Sequence, residues 1–152
     1  MHVGASFVAA LCWGSGLFRE AKMLNRKLIS IVDDDQPFRE SMRKLVTLLG
    51  YSVETFPSAA DFLAWPLLRE TACLIADVQM TGMSGVELHR HLIKLAHAIP
   101  TILITAYPDD AVRNQALKDG VTCYLSKPVD DRDLESCLRN ALGDDRPAKE
   151  NS

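Results

Sequence analysis

From Lys27 onward the chain repeats one alternation five times: a short apolar run, then a stretch whose apolar residues recur at helical spacing. The runs are Leu28–Val32, Ser52–Phe56, Ala72–Ala76, Thr101–Thr105 and Thr122–Ser126. Brief runs of this kind, bounded by turn residues, read as strands buried on both faces. Phe38, Met42, Leu45, Val46 and Leu49 mark a first helix, opened by Pro37 and closed by Gly50; proline suits a first turn and glycine a helix end. A second helical stretch starts at Ser58 and is interrupted by Pro66. Ser84 and Glu87 form a capping-box pattern that opens a third helix carrying Val86 and Ile93. The fourth helix runs from Asp109 to Asp119 and stops at Gly120; the last runs from Asp130 to Leu142, with Leu134, Cys137, Leu138 and Ala141 on one face. Strands alternating with helices in this way predict an α/β fold, a parallel sheet covered on both faces. Right-handed crossovers leave few topologies.

This architecture restricts where chemistry can sit. In open α/β sheets ligands bind beyond the carboxyl ends of the strands, where the strand order reverses. Those ends carry Asp33 and Asp34 after strand one, Asp77 after strand three, Thr105 after strand four and Lys127 after strand five. Converging carboxylates beside an apolar sheet repel one another at reduced dielectric. An oxygen-loving divalent cation relieves that repulsion, and magnesium suits carboxylates that also retain water and meet a phosphate. A carboxylate there could attack phosphorus to give an acyl phosphate. The amine would neutralise phosphoryl oxygens and the hydroxyl would donate to one of them. Together these groups make a phosphoryl-acceptor site. Singly, each has a plainer explanation: an Asp run ahead of a helix caps it, a threonine ends a strand, a lysine decorates a surface. The ordered coincidence at four strand ends is what indicates a site. His89 and His91 stand two apart on a helix, share no face and make a poor metal pair.

Composition excludes other classes. The chain is 47% hydrophobic and 24% charged, ordinary for a packed domain and too apolar for a disordered one. Its net charge of −3 lacks the basic excess of a nucleic-acid binder, so no nucleic-acid partner is expected. Cys12, Cys73, Cys123 and Cys137 form no C-x-x-C pair; Cys73 and Cys123 fall in strand-like runs, where a buried reduced thiol is expected, and a reducing cytoplasm fits. The apolar segment Val3–Phe18 is too short to span a bilayer, which takes about 20 residues, and only His2 precedes it where a secretory signal needs a basic segment. Residues 1–26 are therefore expected to be a disordered extension or a mis-assigned start, with Met23 as the alternative. Residues 27–143 form the domain, 144–152 a polar tail, and no membrane contact is expected.

Four stretches resemble the receiver domain of two-component response regulators: Ile31–Asp35 (IVDDD), Leu74–Gly85 (LIADVQMTGMSG), Ile102–Tyr107 (ILITAY) and Tyr124–Pro128 (YLSKP). The segment Gly50–Leu63 (GYSVETFPSAADFL) is most similar to receivers of FixJ-type regulators. The resemblance implies a flavodoxin-like (βα)5 sandwich with a five-stranded parallel sheet of order 2-1-3-4-5. It implies Asp77 as the phosphorylated aspartate. Mg2+ would be held by Asp33, Asp34, Asp77 and the main-chain carbonyl of Gln79. Thr105 and Lys127 would bind the phosphoryl oxygens, Tyr124 would be the switch aromatic, and the bond before Pro128 would be cis. The implied partners are a sensor histidine kinase or histidine phosphotransfer protein, and a homodimer partner across helix four, strand five and helix five. Thr81 departs from the family's usual proline and is expected to loosen its loop; Val129 replaces a common phenylalanine; Gln79 and Tyr107 occupy positions that in the family influence phosphoryl lifetime, which leaves the lifetime here open. After Gly143 nine mostly polar residues remain, too few for a helix-turn-helix, so a receiver without an output domain is expected, not a classical enzyme. Two rivals are a phosphorylation-independent binding module with the same fold, and a haloacid-dehalogenase-type phosphatase built on Asp33-x-Asp35, which would leave Asp77 idle.

Overall fold

A computed structural model describes residues 26–143. The apolar runs become β1 (Leu28–Val32), β2 (Ser52–Phe56), β3 (Cys73–Asp77), β4 (Thr101–Thr105) and β5 (Cys123–Ser126). Between and after them lie α1 (Gln36–Leu48), α2 (Ala59–Leu63), α3 (Gly85–Lys94), α4 (Asp110–Lys118) and α5 (Asp131–Leu142). All strand pairs are parallel and the sheet order is β2-β1-β3-β4-β5, the flavodoxin-like order expected.

The register sorts the core. Successive strand side chains point to opposite faces. Ile29, Ile31, Cys73, Ile75, Ile102 and Ile104 therefore share one face and meet Met42 and Val46 of α1 and Leu134 and Leu138 of α5. Val32, Leu74, Ala76 and Leu103 take the other face, against Phe62 of α2, Leu88 and Leu92 of α3 and Ala116 of α4. Each fully buried aliphatic side chain contributes about 1.5–3 kcal/mol, so β1, β3 and β4 are clamped from both sides. Ser30, buried within β1, is satisfied by Thr71 across a 2.7 Å hydroxyl pair.

The helix starts follow their caps. Ser84 and Glu87 complete the reciprocal capping box of α3. Asp109 accepts the Val112 N–H at 3.1 Å to open α4, and Asp130 accepts from Arg132 and Asp133 to open α5. The helical stretch from Ser58 ends at Leu63, ahead of Pro66, and the chain resumes as a 3-10 turn over Leu68–Glu70. β3 begins one residue later than the apolar run suggests and takes in Asp77, whose backbone stays in the ladder with Ile104.

Cys123 corrects the cysteine reading. It is not a reduced thiol: it is disulfide-bonded to Cys137, joining β5 to α5 with their Cα atoms 6.1 Å apart. Residue spacing carries no sign of this pair, because only the packing of α5 against β5 brings the two together. Cys73 is a buried free thiol as expected, its pKa pushed up to about 12 by burial. Cys12, the expected N-terminal extension and the expected polar tail, with the lack of an output domain inferred from it, lie outside the described residues. Among the described residues no helix is long and apolar enough to cross a membrane.

Candidate phosphoryl-acceptor site

The strand order reverses at β1, which has β2 on one side and β3 on the other. The crevice at that reversal is bordered by the residues that leave β1 and end β3. Asp33, Asp34 and Asp77 each bring a carboxylate oxygen there, all within 4.8 Å of one another. Among the described residues they are the one such cluster of three or more metal-ligating side chains. Asp33 is 2% exposed and Asp77 6%, whereas Asp34 faces solvent.

Asp33 does not act as a helix cap. Its carboxylate accepts the Asp35 N–H at 2.9 Å and the Lys127 ammonium at 3.1 Å, and Asp35 occupies the cap position of α1 with no side-chain cap bond. Lys127 Nζ also lies 3.7 Å from Asp77 Oδ2, so one cation serves two buried carboxylates. Burial, then the negative charge of Asp33, pushes the Asp77 pKa up to about 6; Lys127, a backbone bond from Gln79 and Asp34 adjust it further. A carboxyl driven so far from its ordinary range is poised to gain from any added positive charge. Three converging oxygens, two of them out of water and short of cations, fit a hard divalent cation better than they fit one another.

The remaining expected residues gather at the same rim. Thr105 ends β4 fully buried, donating its hydroxyl to Gln79 Oε1 at 2.6 Å and accepting the Tyr107 N–H at 2.9 Å. Tyr124 lies on β5, packs its ring against the α2–α4 side of the core and accepts the Asp109 N–H at 3.2 Å through its hydroxyl. The Lys127–Pro128 bond is cis. Thr81 behaves otherwise than expected: its N–H and hydroxyl both reach Asp34 Oδ2, at 3.1 and 3.4 Å. Proline could offer neither donor, so here threonine ties the loop to Asp34.

Three contributors escape a reading of the sequence. The Phe38 ring lies 4.0 Å from Lys127 Nζ, a cation–π contact that steers the ammonium; its helical spacing marked it only as core. Arg39 donates to the Asp33 carbonyl at 2.6 Å. Gly85, inside a quoted motif, packs against the Asp77 backbone: a Cβ there would strike the Asp77 carbonyl oxygen and come within 3.1 Å of Leu103. Gly85→Ala must push the start of α3 off β3. It is expected to destabilise the protein by about 1–3 kcal/mol in urea unfolding and to displace Asp77.

Known proteins resemble this chain in sequence and fold. The family model described as the response regulator receiver domain matches residues 29–139. Response regulator protein TodT of Pseudomonas putida is 37% identical over 115 residues, 76% of this chain and 51% of that protein. Transcriptional regulatory protein FixJ of Rhizobium meliloti is 35% identical over 113 residues, 74% of this chain and 55% of that protein. The chain thus spans about half the length of the curated relatives it matches. The crystal structure of FixJ-N superposes with a TM-score of 0.70 at 36% identity, covering 76% of this chain and 93% of that one.

Proposed function

The chain belongs to the response regulator receiver family, and from that premise we propose that Asp77 accepts a phosphoryl group from a sensor histidine kinase or histidine phosphotransfer protein in the cytoplasm. The observation that carries this reading is the meeting of Asp33, Asp34 and Asp77 within 4.8 Å, with Lys127 between two of them.

An Asp77 carboxylate oxygen attacks phosphorus as the bond from phosphorus to the donor's imidazole nitrogen breaks, and the imidazole leaves with the electron pair. Asp33, Asp34, Asp77 and the Gln79 carbonyl would hold Mg2+, which when bound supplies positive charge against the carboxylates and the incoming phosphoryl oxygens. Lys127, steered by Phe38, neutralises a phosphoryl oxygen. Thr105 must give up Gln79 to donate to another.

That exchange is what transmits the signal. Thr105 accepts the Tyr107 N–H, and Asp109, two residues on, donates to Tyr124. Movement of the Thr105 hydroxyl toward phosphate therefore pulls the 106–109 loop and loosens the tether on the Tyr124 ring. The phosphoryl group favours the arrangement it binds better, and that differential affinity shifts the surface of α4, β5 and α5. Partners read this surface, a second copy of the chain among them.

Intact-mass measurement after incubation with acetyl phosphate tests the reading. One phosphoryl adduct is expected with Mg2+, none with EDTA, and none in Asp77→Asn. An adduct that survives Asp77→Asn but vanishes in Asp33→Asn would place the nucleophile on Asp33 and sink this assignment.

A further inference from the structure

The phosphoryl-acceptor chemistry leaves one pair of reactive side chains unused. Cys123 is the first residue of β5, next to Tyr124, and Cys137 lies in the middle of α5. Their bond spans the two elements whose relative placement the proposed switch alters. It also lies outside the acidic crevice, so its chemistry is separable from phosphoryl transfer.

Position gives the bond its consequence. β5 is an edge strand, paired on one side only, to β4. Its residues Cys123, Tyr124 and Leu125 are half-buried, unlike the fully buried β3 and β4. Unpaired along one side, β5 is freer to shift than those central strands, and the disulfide fastens it to α5, itself anchored by buried Leu134 and Leu138. Cys137 is 7% exposed, while Cys123 is half-buried and is the more exposed of the two. A disulfide in a protein working among reduced thiols is characteristically transient and redox-sensing.

We propose that Cys123 and Cys137 are a redox-modification site, a dithiol closed reversibly by a low-molecular-weight disulfide such as oxidised glutathione, and that closure holds the Tyr124 strand in its unphosphorylated arrangement. The second clause rests on the phosphoacceptor reading, and the first on the reducing compartment proposed with it. The Cys123 thiolate attacks one sulfur of the oxidised reagent and expels a thiolate. The Cys137 thiolate then attacks Cys123 sulfur in the mixed disulfide and expels the second. Two protein thiols are oxidised to one disulfide, one reagent disulfide is reduced to two thiols, and the two protons pass to the leaving thiolates.

The test uses the full chain, equilibrated with reduced or oxidised glutathione, alkylated in denaturant and mapped by peptide mass. The oxidised sample is expected to contain the Cys123–Cys137 crosslink and to lose it with dithiothreitol. In parallel, the oxidised protein is expected to take phosphoryl from acetyl phosphate roughly fivefold or more slowly than the reduced protein, the lower end of typical site-to-site coupling. Cys137→Ser should accept phosphoryl at the reduced rate under both conditions, and dithiothreitol reversal makes the same comparison without a substitution. Failure to form the crosslink overturns the redox site whatever phosphorylation does. Crosslinking with identical rates overturns the coupling. Crosslinking in a protein that is never phosphorylated leaves the redox site standing and sinks the acceptor reading.

Discussion

Lys127→Ala is expected to slow phosphoryl acceptance from acetyl phosphate by about 100-fold, the typical loss when one preorganised charge is taken from a transition state. The ammonium sits 3.1 Å from Asp33 and 3.7 Å from Asp77, at the mouth where transferred oxygens must arrive. The same substitution leaves two nearly buried carboxylates facing each other without their shared cation. Breaking a buried pair costs about 3 kcal/mol, so metal-free Lys127→Ala is expected to unfold at lower urea, with Mg2+ restoring part of the loss. Lys127→Arg separates the two effects. It returns the charge and most of the stability, but its planar fork cannot reproduce a point donor stacked on Phe38, so its rate stays low. Adduct kinetics by intact mass check the rate, and an unchanged rate in Lys127→Ala would remove Lys127 from the phosphoryl site.

How much of this was legible beforehand depends on what each residue needs around it. The central strands are readable because their side chains are apolar on both faces, and the site because an alternating βα pattern sends strand ends to one rim. Asp33, Asp34, Asp77 and Lys127 come together there, with Thr105 at the end of the neighbouring strand. What stayed hidden depends on side-chain reach across the fold. The Thr105–Gln79 bond joins residues 26 apart and the Thr81–Asp34 bonds residues 47 apart. No local pattern encodes either. Phe38 follows the same helical period whether it packs into the core or under an ammonium. Thr81 ties its loop through its N–H and hydroxyl, donors that the loss of a proline ring does not reveal. The Cys123–Cys137 bond has no sequence signal because a cysteine in an apolar strand looks like a small hydrophobe until a helix lays a second one beside it.

Asp77→Asn should stabilise the metal-free protein while abolishing its function. The Asp77 carboxyl has a pKa pushed up from 3.8 to about 6, so the folded protein holds this proton more tightly than the unfolded chain does. Stability from this group is then greatest below about pH 4, falls as pH rises through 6, and is fully lost above that. At about 1.4 kcal/mol per pKa unit, charged Asp77 costs the metal-free fold up to ~3 kcal/mol near pH 7.5. Asparagine carries no charge, so in EDTA the variant is expected to melt higher than wild type by several degrees at pH 7.5, with the gap closing toward pH 4. Mg2+ should reverse the order. A ligand at about 1,000 times its Kd adds about 4.1 kcal/mol to a protein that binds it only when folded, more than the ~3 kcal/mol cost of the charged carboxylate, and the variant lacks one of the three carboxylates. Melting curves of both proteins, with EDTA and with Mg2+ across this pH range, are the measurement. A wild type that melts above the variant in EDTA at pH 7.5 would contradict the electrostatic account. The repulsion that weakens the empty site is the force that would draw in the cation. In this fold the cost of charging Asp77 without metal and the pull of the acidic crevice on a cation have one cause: carboxylates held together by strands too well packed to let them part.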